Sequence, residues 1–568
     1  MKNQEVANLL KDIADLLELK GDLVFKINAY RKAAQNIENM TRPIEDVWKS
    51  NDLKKLPGVG KGIAEHIEEY LAKGHSDYYE KMKKKMPMDF ESLRSIEGLG
   101  PKKIKVLYEK LKVKNVGDLK SAAKRGKIRV LPGFGEKTEH NILKSIEFFT
   151  KSGQRVLLGH ALPMAEEVVN YMKKNRSIMR ATYAGSLRRM RETIGDIDIL
   201  VTAKNSSVAI DHFVKMPGVS KIMAKGSTKA SIIFGDMQID LRVLKDREYG
   251  SALLYFTGSK DHNVGLRKVA IAKGMKLSEY GLFRGTKLVA SRTEEEIYKA
   301  LGLRYIEPEM REDRGEIDIA KKSLPELISY SGILGDLQMH TKWSDGMNTI
   351  KEMAAVAKTL GYEYICITDH LGRLKIANAM SEKDVDRQKK EIEKVQDAAG
   401  IKILHGAEID IRADGGFDVS DGCLKKFDIV FAALHSSLKG TVEKNTERIA
   451  KAMENPNVDV IAHMSGRLIG KREGADLDIQ KIAKKAIETN TVMEINAQPN
   501  RLDLSDINSK AVVENGCELL INTDAHSADQ LNFMKFGIAV ARRAWCTKKD
   551  ILNTLPYKKF SKEFDISV

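Results

Sequence analysis

ATYAGSLRRMRETIGDIDILVTA, residues 181–203, decides how this chain is read. A β-type run ends in the short turn Gly185-Ser186. Arg188 and Arg189 follow, and Asp196 and Asp198 then lead into a second apolar run, IDILVTA. Alternate residues of a strand share a face, which places Asp196 and Asp198 side by side. Two carboxylates so close repel each other unless cations lie between them. Phosphoryl transfer uses such a pair to hold two Mg²⁺ about 3.5–4 Å apart. A third carboxylate is then expected on a neighbouring strand, and MQIDLRVL supplies Asp240, with Arg242 two positions on. From about residue 155 strand-like and helical runs alternate, as in a mixed α/β domain.

Around this segment lies a chain of 568 residues, 42% hydrophobic and 31% charged, enough for about three to five domains. No run of ~18 apolar residues occurs, so no membrane span is expected. The N-terminal stretch has no apolar signal core and reads as an amphipathic helix, with Val6, Leu9, Leu10, Ile13, Leu16 and Leu17 at helical spacing. Cys366, Cys423, Cys517 and Cys546 are far apart and form no CxxC. A disulfide scaffold and a Cys-based zinc finger are excluded, and a cytoplasmic location is the default expectation.

The net charge of +16 is unevenly placed. Residues 1–300 carry 56 Lys and Arg against 37 Asp and Glu, or +19, and residues 301–568 carry 39 against 42, or −3. A basic N-terminal half suggests a polyanionic partner. Residues 101–150 are its most basic block, with 13 basic and 5 acidic side chains. Three segments of this half share one pattern: LPGVGKGIAEHI (56–67), IEGLGPKKIKVL (96–107) and LPGFGEKTEHNI (131–142). In each, a Gly-apolar-Gly turn opens a helix, at Gly58 and Gly60, Gly98 and Gly100, and Gly133 and Gly135. Free backbone N–H groups at a helix start attract a phosphate without reading sequence. The pattern resembles the helix–hairpin–helix motif of DNA repair and replication proteins.

From residue 333 a β-then-α rhythm begins, expected for a parallel or barrel-like sheet with function at the strand C-termini. Polar residues mark the strand ends in GDLQMHTKWSDG (335–346), ITDH (367–370), GAEID (406–410), LHSS (434–437), AHMSG (462–466) and NTDAH (522–526). The candidate metal ligands are His340, Asp345, His370, Glu408, His435, His463, Asp524 and His526. Imidazole and carboxylate together suit Zn²⁺ or Mn²⁺. Five of only 12 histidines fall at these strand ends, which favours one cluster over isolated core residues.

NAYRKAA (28–34), GSLRR, GDIDIL and ALLYFTGS (252–259), in that order, resemble the family X DNA polymerases, to which DNA polymerase beta belongs. The resemblance covers about residues 1–315. It implies that Asp196 and Asp198 ligate both catalytic Mg²⁺ ions, and that Asp240 ligates one and helps deprotonate the primer 3′-hydroxyl. Ser186 and Arg189 would bind the β,γ-phosphates of a dNTP, with Gly185 in the turn. Tyr255, Phe256 and Gly258 would line the sugar site, and Asn263 and Arg267 would face the minor groove of the nascent pair. Tyr30 and Arg31 match DNA-contacting positions. His66 stands where the family's Schiff-base lysine would fall and cannot form the imine, so strong deoxyribose-phosphate lyase activity by the usual residue is not expected.

The strand-end series resembles the PHP (polymerase and histidinol phosphatase) domain, a distorted seven-stranded β/α barrel with up to three metals and phosphoester-hydrolysing chemistry. This resemblance covers about 333–568. It departs at the first strand, where Gln338-x-His340 replaces the usual His-x-His. Glu494 is a supporting residue there, and Arg373 and Arg467 are candidate phosphate clamps.

The expected architecture is therefore a multidomain α/β chain. It has a helical DNA-binding domain (1–85), a tandem helix–hairpin–helix subdomain (86–150) and a nucleotidyltransferase palm (151–247). A nascent-pair-binding thumb (248–315), a linker (316–332) and a PHP metallohydrolase barrel (333–568) follow. The expected function is a monomeric DNA-repair polymerase that fills short gaps bearing a 5′-phosphate. It would use dNTPs and Mg²⁺, and a Mn²⁺- or Zn²⁺-dependent 3′→5′ exonuclease would add 3′-phosphatase or abasic-site endonuclease activity. The competing readings are a hydrolase tethered to DNA, a non-enzymatic scaffold with a structural metal, and, for the C-terminal domain, a small-phosphate phosphatase.

Overall fold

Helical spacing of apolar residues governs the first part of the chain. The helices Lys2–Lys20, Val24–Glu38, Lys61–Lys73, Pro101–Leu111 and Val116–Lys124 turn these faces inward. In this computed structural model, residues 2–38, 44–56, 58–84, 86, 88–94, 96, 99–136, 138–140, 142–143, 146, 155–372 and 377–566 are described. One apolar core runs from Val6 to Ile146 and spans both expected helical units. Gly98 and Arg373 lie outside the described residues.

The palm is a five-stranded sheet. Its strands lie side by side in the order Ile178–Tyr183, Ile197–Ala203, Met237–Leu244, Lys229–Phe234 and Val219–Lys225. Only the second and third are parallel, and their register pairs Asp198 with Asp240. Alternation explains the pairing: Ile197, Ile199, Ile239 and Leu241 enter the core, so the aspartates take the other face. Asp196 precedes the strand and is exposed. The helices Leu158–Lys173 and Ser206–Val214 complete the palm core.

The thumb is built from the helices Tyr249–Thr257, Lys260–Ala272 and Glu294–Ala300 with a three-stranded antiparallel sheet. Tyr255 and Phe256 lie at the C-terminal end of the first of these helices. Deep in the thumb, Glu294 joins Arg188 of the palm (2.6 Å) to the fully buried Arg311 (2.6 Å). Removing one partner of such a buried network typically costs about 3–5 kcal/mol, because a charge is stranded.

The C-terminal part is a parallel barrel. Its strands run in the order Gly335–Asp336, Tyr364–Ile367, Lys402–Asp410, Ile429–Ala433, Val460–Ala462, Val492–Asn496 and Leu519–Asn522. His370–Leu371 adds a short pairing to the third of these. A parallel bridge between Met339 and Ala525 brings the last strand against the first. Asp336 reinforces the closure by accepting from the Thr523 N–H (3.1 Å) and hydroxyl (2.5 Å).

Palm and barrel share one apolar cluster. They meet without a gap, since a Cβ on Gly159 of the first palm helix would lie 2.5 Å from Pro499. Residues 316–332, expected as a linker, are packed: Ile328 is buried and its N–H donates to the Cys546 carbonyl (3.0 Å). Among the described residues no helix is long and apolar enough to cross a membrane.

Candidate active sites and nucleic-acid interface

In the helical part, Gly60 and Gly100 are the N-caps of Lys61–Lys73 and Pro101–Leu111, and no side chain caps either helix. The Glu139 N–H donates to the Gly135 carbonyl (3.0 Å), which starts a third helical turn in the same way. Val59, Leu99 and Phe134, the middle residues of the turns, pack into the core. Gly58 and Gly133 have φ +82° and +79°, where only glycine sits without strain. A Cβ on Gly60, Gly100, Gly133 or Gly135 would meet nothing within 4 Å. Apolar anchors thus point inward while the uncapped N–H groups face open space, the geometry of a phosphate cradle.

Tyr30 is placed differently from a surface DNA contact, being 4% exposed. Arg31 is engaged by Glu18 (2.6 Å) and Asp15 (3.1 Å). His66 stacks on Tyr78, with ring centroids 4.4 Å apart, and faces Tyr30 at 6.2 Å. Burial lowers its pKa, and the ring acts as part of an aromatic stack.

In the palm, the turn Gly185–Arg188 sits directly on Asp198. Gly185 has φ +62°, and the Ala184 N–H donates to the Asp198 carbonyl (2.8 Å). Burial, then the charges of Asp196 and Asp240, push the Asp198 carboxyl up to about 7. The three carboxylates feel one another, as an acidic site short of positive charge must. Gln238 donates to both oxygens of Asp240 (3.2 and 3.1 Å). Arg189 crosses to the thumb, donating to the Thr257 carbonyl and to Glu312 (3.1 Å). Beyond it, Tyr255 is 40% exposed and meets Phe256 edge-on, and Arg242 lies 4.4 Å over the Phe256 ring. Asn263 donates to the Tyr255 carbonyl (2.7 Å), and the exposed Arg267 donates to the Asn263 carbonyl (3.3 Å). Arg189 thus ties the turn above Asp198 to the C-terminal end of the helix that carries Tyr255 and Phe256. Carboxylate oxygens are the donors that Mg²⁺ takes.

The barrel mouth gathers the strand-end residues into three overlapping groups. Their ligand atoms lie within 4.8 Å of one another: His340, Asp345, His370 and His526; His370, Glu408 and His435; and His340, Glu408 and Asp524. The palm carboxylates do not converge so tightly. His463 joins the second group through Glu408 Oε1 (3.1 Å). His340 Nε2 lies 3.1 Å from both Glu408 and Asp524, yet neither contact has hydrogen-bond alignment, and both ring nitrogens are buried without a partner. Short, misaligned, buried donor atoms of this kind fit metal ligation, and the imidazole–carboxylate set is right for Mn²⁺ or Zn²⁺. Burial, with His340 and His435 beside it, drives His370 down to about 3 despite nearby carboxylates. His463 and Asp524 have φ of 26° and 51°, a strained backbone that turns both over the mouth.

Hydrogen bonds hold the residues of this cluster in place. Asp369 accepts from the Thr341 N–H, the Thr341 hydroxyl and the Ser344 hydroxyl (2.6 Å each), which pins the loop carrying His340 and Asp345. Asp410 holds His435 Nδ1 (3.2 Å). Glu494 accepts the His463 N–H (2.9 Å). Gln338 donates to Glu408 Oε2 (2.8 Å), and its own oxygen is buried without a partner. Arg467 is an interdomain tie, bonded to Glu192 of the palm (2.8 Å) and to the Leu502 carbonyl. Nearer the ligand cluster is Arg501, whose Nε lies 3.9 Å from Asp524 and whose Nη1 is buried and unpartnered. Sequence reasoning missed Arg501 and Asp369. Asp410 was within reach, since it stands two residues from Glu408 on the same strand face.

Four family models match this chain. They are a helix-hairpin-helix domain (1–76), a SAM-like helix-hairpin-helix tandem (90–147), the DNA polymerase beta thumb (252–312) and the PHP domain (336–498). "DNA polymerase/3′-5′ exonuclease PolX" of Bacillus subtilis (strain 168) is 37% identical over 564 residues, 98% of each chain. The chain belongs to the PolX family. Two further relatives match part of the chain. DNA polymerase lambda of Rattus norvegicus is 25% identical over 348 residues, 55% of this chain and 56% of that one. A probable phosphatase of Thermoanaerobacter sp. (strain X514) is 30% identical over 230 residues, 39% of this chain and 89% of that one.

Proposed function

We propose that this PolX-family chain extends primer 3′ ends in short DNA gaps and hydrolyses 3′ ends in its C-terminal barrel. The division into domains is the one drawn from the sequence: 1–85, 86–150, 151–247, 248–315, 316–332 and 333–568. The observation that carries the polymerase reading is Asp198 standing in register with Asp240 beneath the Gly185 turn, its carboxyl pushed up by burial and two neighbouring charges.

Asp196, Asp198 and Asp240 would hold Mg²⁺, and bound Mg²⁺ supplies charge neutralisation at the reacting phosphate. Asp240 helps take the proton from the primer 3′-hydroxyl. Ser186 and Arg189 hold the β,γ-phosphates of the dNTP, with Gly185 allowing close approach. Tyr255, Phe256 and Gly258 set the sugar wall, and Asn263 and Arg267 lie toward the nascent pair. The helix–hairpin–helix turns hold the backbone of gapped DNA, with a 5′-phosphate among the contacts. At the barrel mouth His340, Asp345, His370, Glu408, His435, His463, Asp524 and His526 would hold up to three Mn²⁺ or Zn²⁺ ions, and Arg501 faces the phosphate of the 3′ end. The likeness of part of this chain to a probable phosphatase favours 3′-phosphate as a second substrate.

The test is incubation with a 5′-phosphorylated one-nucleotide gap, with and without dNTPs, in Mg²⁺ and then Mn²⁺. Asp198→Asn is expected to abolish extension and leave shortening, and Glu408→Gln the reverse. Extension that survives Asp198→Asn overturns the palm assignment. A 3′-phosphorylated primer in the same assay reads the phosphatase activity.

A further inference from the structure

Arg543 ends the helix Met534–Arg543 in the barrel domain and is 4% exposed. Its guanidinium leaves that domain. It donates to the Arg189 carbonyl of the palm (2.8 Å) and to Glu312 Oε1 of the thumb (3.0 Å), while Asp506 anchors it at home (2.7 Å). Glu312 Oε1 is also the acceptor for Arg189 Nε (3.1 Å), and Arg191 lies 3.6 Å from the other oxygen. Asp506 is itself shared with Arg314 (2.8 Å). Asp506, Arg543, Glu312 and Arg189 thus form a line of alternating charge from the barrel domain to the Gly185–Arg189 turn of the palm.

We propose that Arg543 is a positioning residue of the polymerase site. It holds the Gly185–Arg189 turn by its main chain and takes up part of the Glu312 charge, so that the Arg189 guanidinium stays available to a nucleoside triphosphate. The proposal rests on reading Arg189 as the triphosphate ligand. Coulomb attraction between partly buried charges is strong. Without Arg543, the Glu312 carboxylate would fall more fully on Arg189 and compete with the triphosphate for it. The Arg189 carbonyl would also lose its donor. Nucleotide binding would suffer, while DNA binding and 3′-end hydrolysis would not.

The experiment uses the full chain on a one-nucleotide gap in Mg²⁺, with thermal unfolding followed in parallel. Arg543→Met should raise the KM for dNTP by about tenfold with kcat within about threefold. Mn²⁺-dependent 3′-end hydrolysis by the same preparation should be unchanged. Adding Glu312→Gln to Arg543→Met should recover most of the KM, because the competing charge is gone. An unchanged KM, or a parallel loss of both activities, overturns the proposal. Should Arg543→Met fail to fold, Arg543→Gln decides: it keeps an N–H donor and loses the charge, so KM should still rise, and an unchanged KM overturns the proposal. Arg189→Ala is read alongside. If its KM does not rise, the triphosphate reading fails; if it rises while the Arg543 variants stay at wild type, the proposal alone fails.

Discussion

Gly185 approaches the Asp198 carboxylate so closely that a Cβ at position 185 would lie 2.5 Å from Asp198 Oδ2. Gly185→Ala would have to move that carboxylate or the turn, and would strain a φ of +62° by about 1–3 kcal/mol. Primer extension should fall by about 100-fold, since a misplacement of 1 Å costs that much. Mn²⁺-dependent 3′-end hydrolysis should be retained. Extension assays on gapped DNA check this, and near-wild-type extension would show that the turn does not set the position of Asp198.

Gln338 replaces a histidine of the usual PHP pattern, and it is buried against Glu408. Gln338→His should add a nitrogen ligand beside Glu408. The Mn²⁺ concentration for half-maximal hydrolysis should fall by about tenfold, and metal retained per chain after dialysis should rise. Elemental analysis reads the second quantity independently of activity. Metal content no higher than in the wild type would place position 338 outside the coordination sphere.

Burial alone would raise the Glu294 carboxyl, but Arg311 and Arg188 hold it down to about 2. A carboxyl with a depressed folded pKa contributes stability above its unfolded value near 4.5 and loses it as pH falls toward 2. The linkage amounts to about 3 kcal/mol. Glu294→Gln should therefore unfold at a lower temperature than the wild type at pH 7. The gap should hold down to about pH 5 and be more than half closed near about pH 3. A gap independent of pH would mean that packing, not charge, dominates at this position.

His66 is stacked against Tyr78 where an imine-forming lysine would stand. Borohydride treatment with incised abasic DNA should trap little wild-type protein, whereas His66→Lys should yield a covalent adduct. Strong trapping in the wild type would point to another amine, with Lys54, Lys55 and Lys61 the first to replace.

Much of this protein was legible in one dimension. Period-two runs marked the palm strands, because alternation in a strand is local covalent geometry. The Gly-apolar-Gly repeats marked turns, in two of which Gly58 and Gly133 take a backbone that only glycine adopts easily, and the β-then-α rhythm marked a parallel barrel with polar strand ends. The candidate ligands His340, Glu408 and Asp524 were named from those ends, and the fold brings them to within 4.8 Å of one another.

What depended on tertiary structure was the state of each side chain once distant segments met. Tyr30 lies on an amphipathic helix whose face toward solvent cannot be read from its own spacing, and the fold buries it. Arg467 was weighed as a phosphate clamp, but the palm supplies Glu192 and takes it away. Arg543 and Glu312 are far apart in the chain and 3.0 Å apart in space. Local patterns are set by backbone geometry over a few residues and so survive in the sequence. Partnerships between charges depend on which surfaces the packed core brings together, and no periodicity records them.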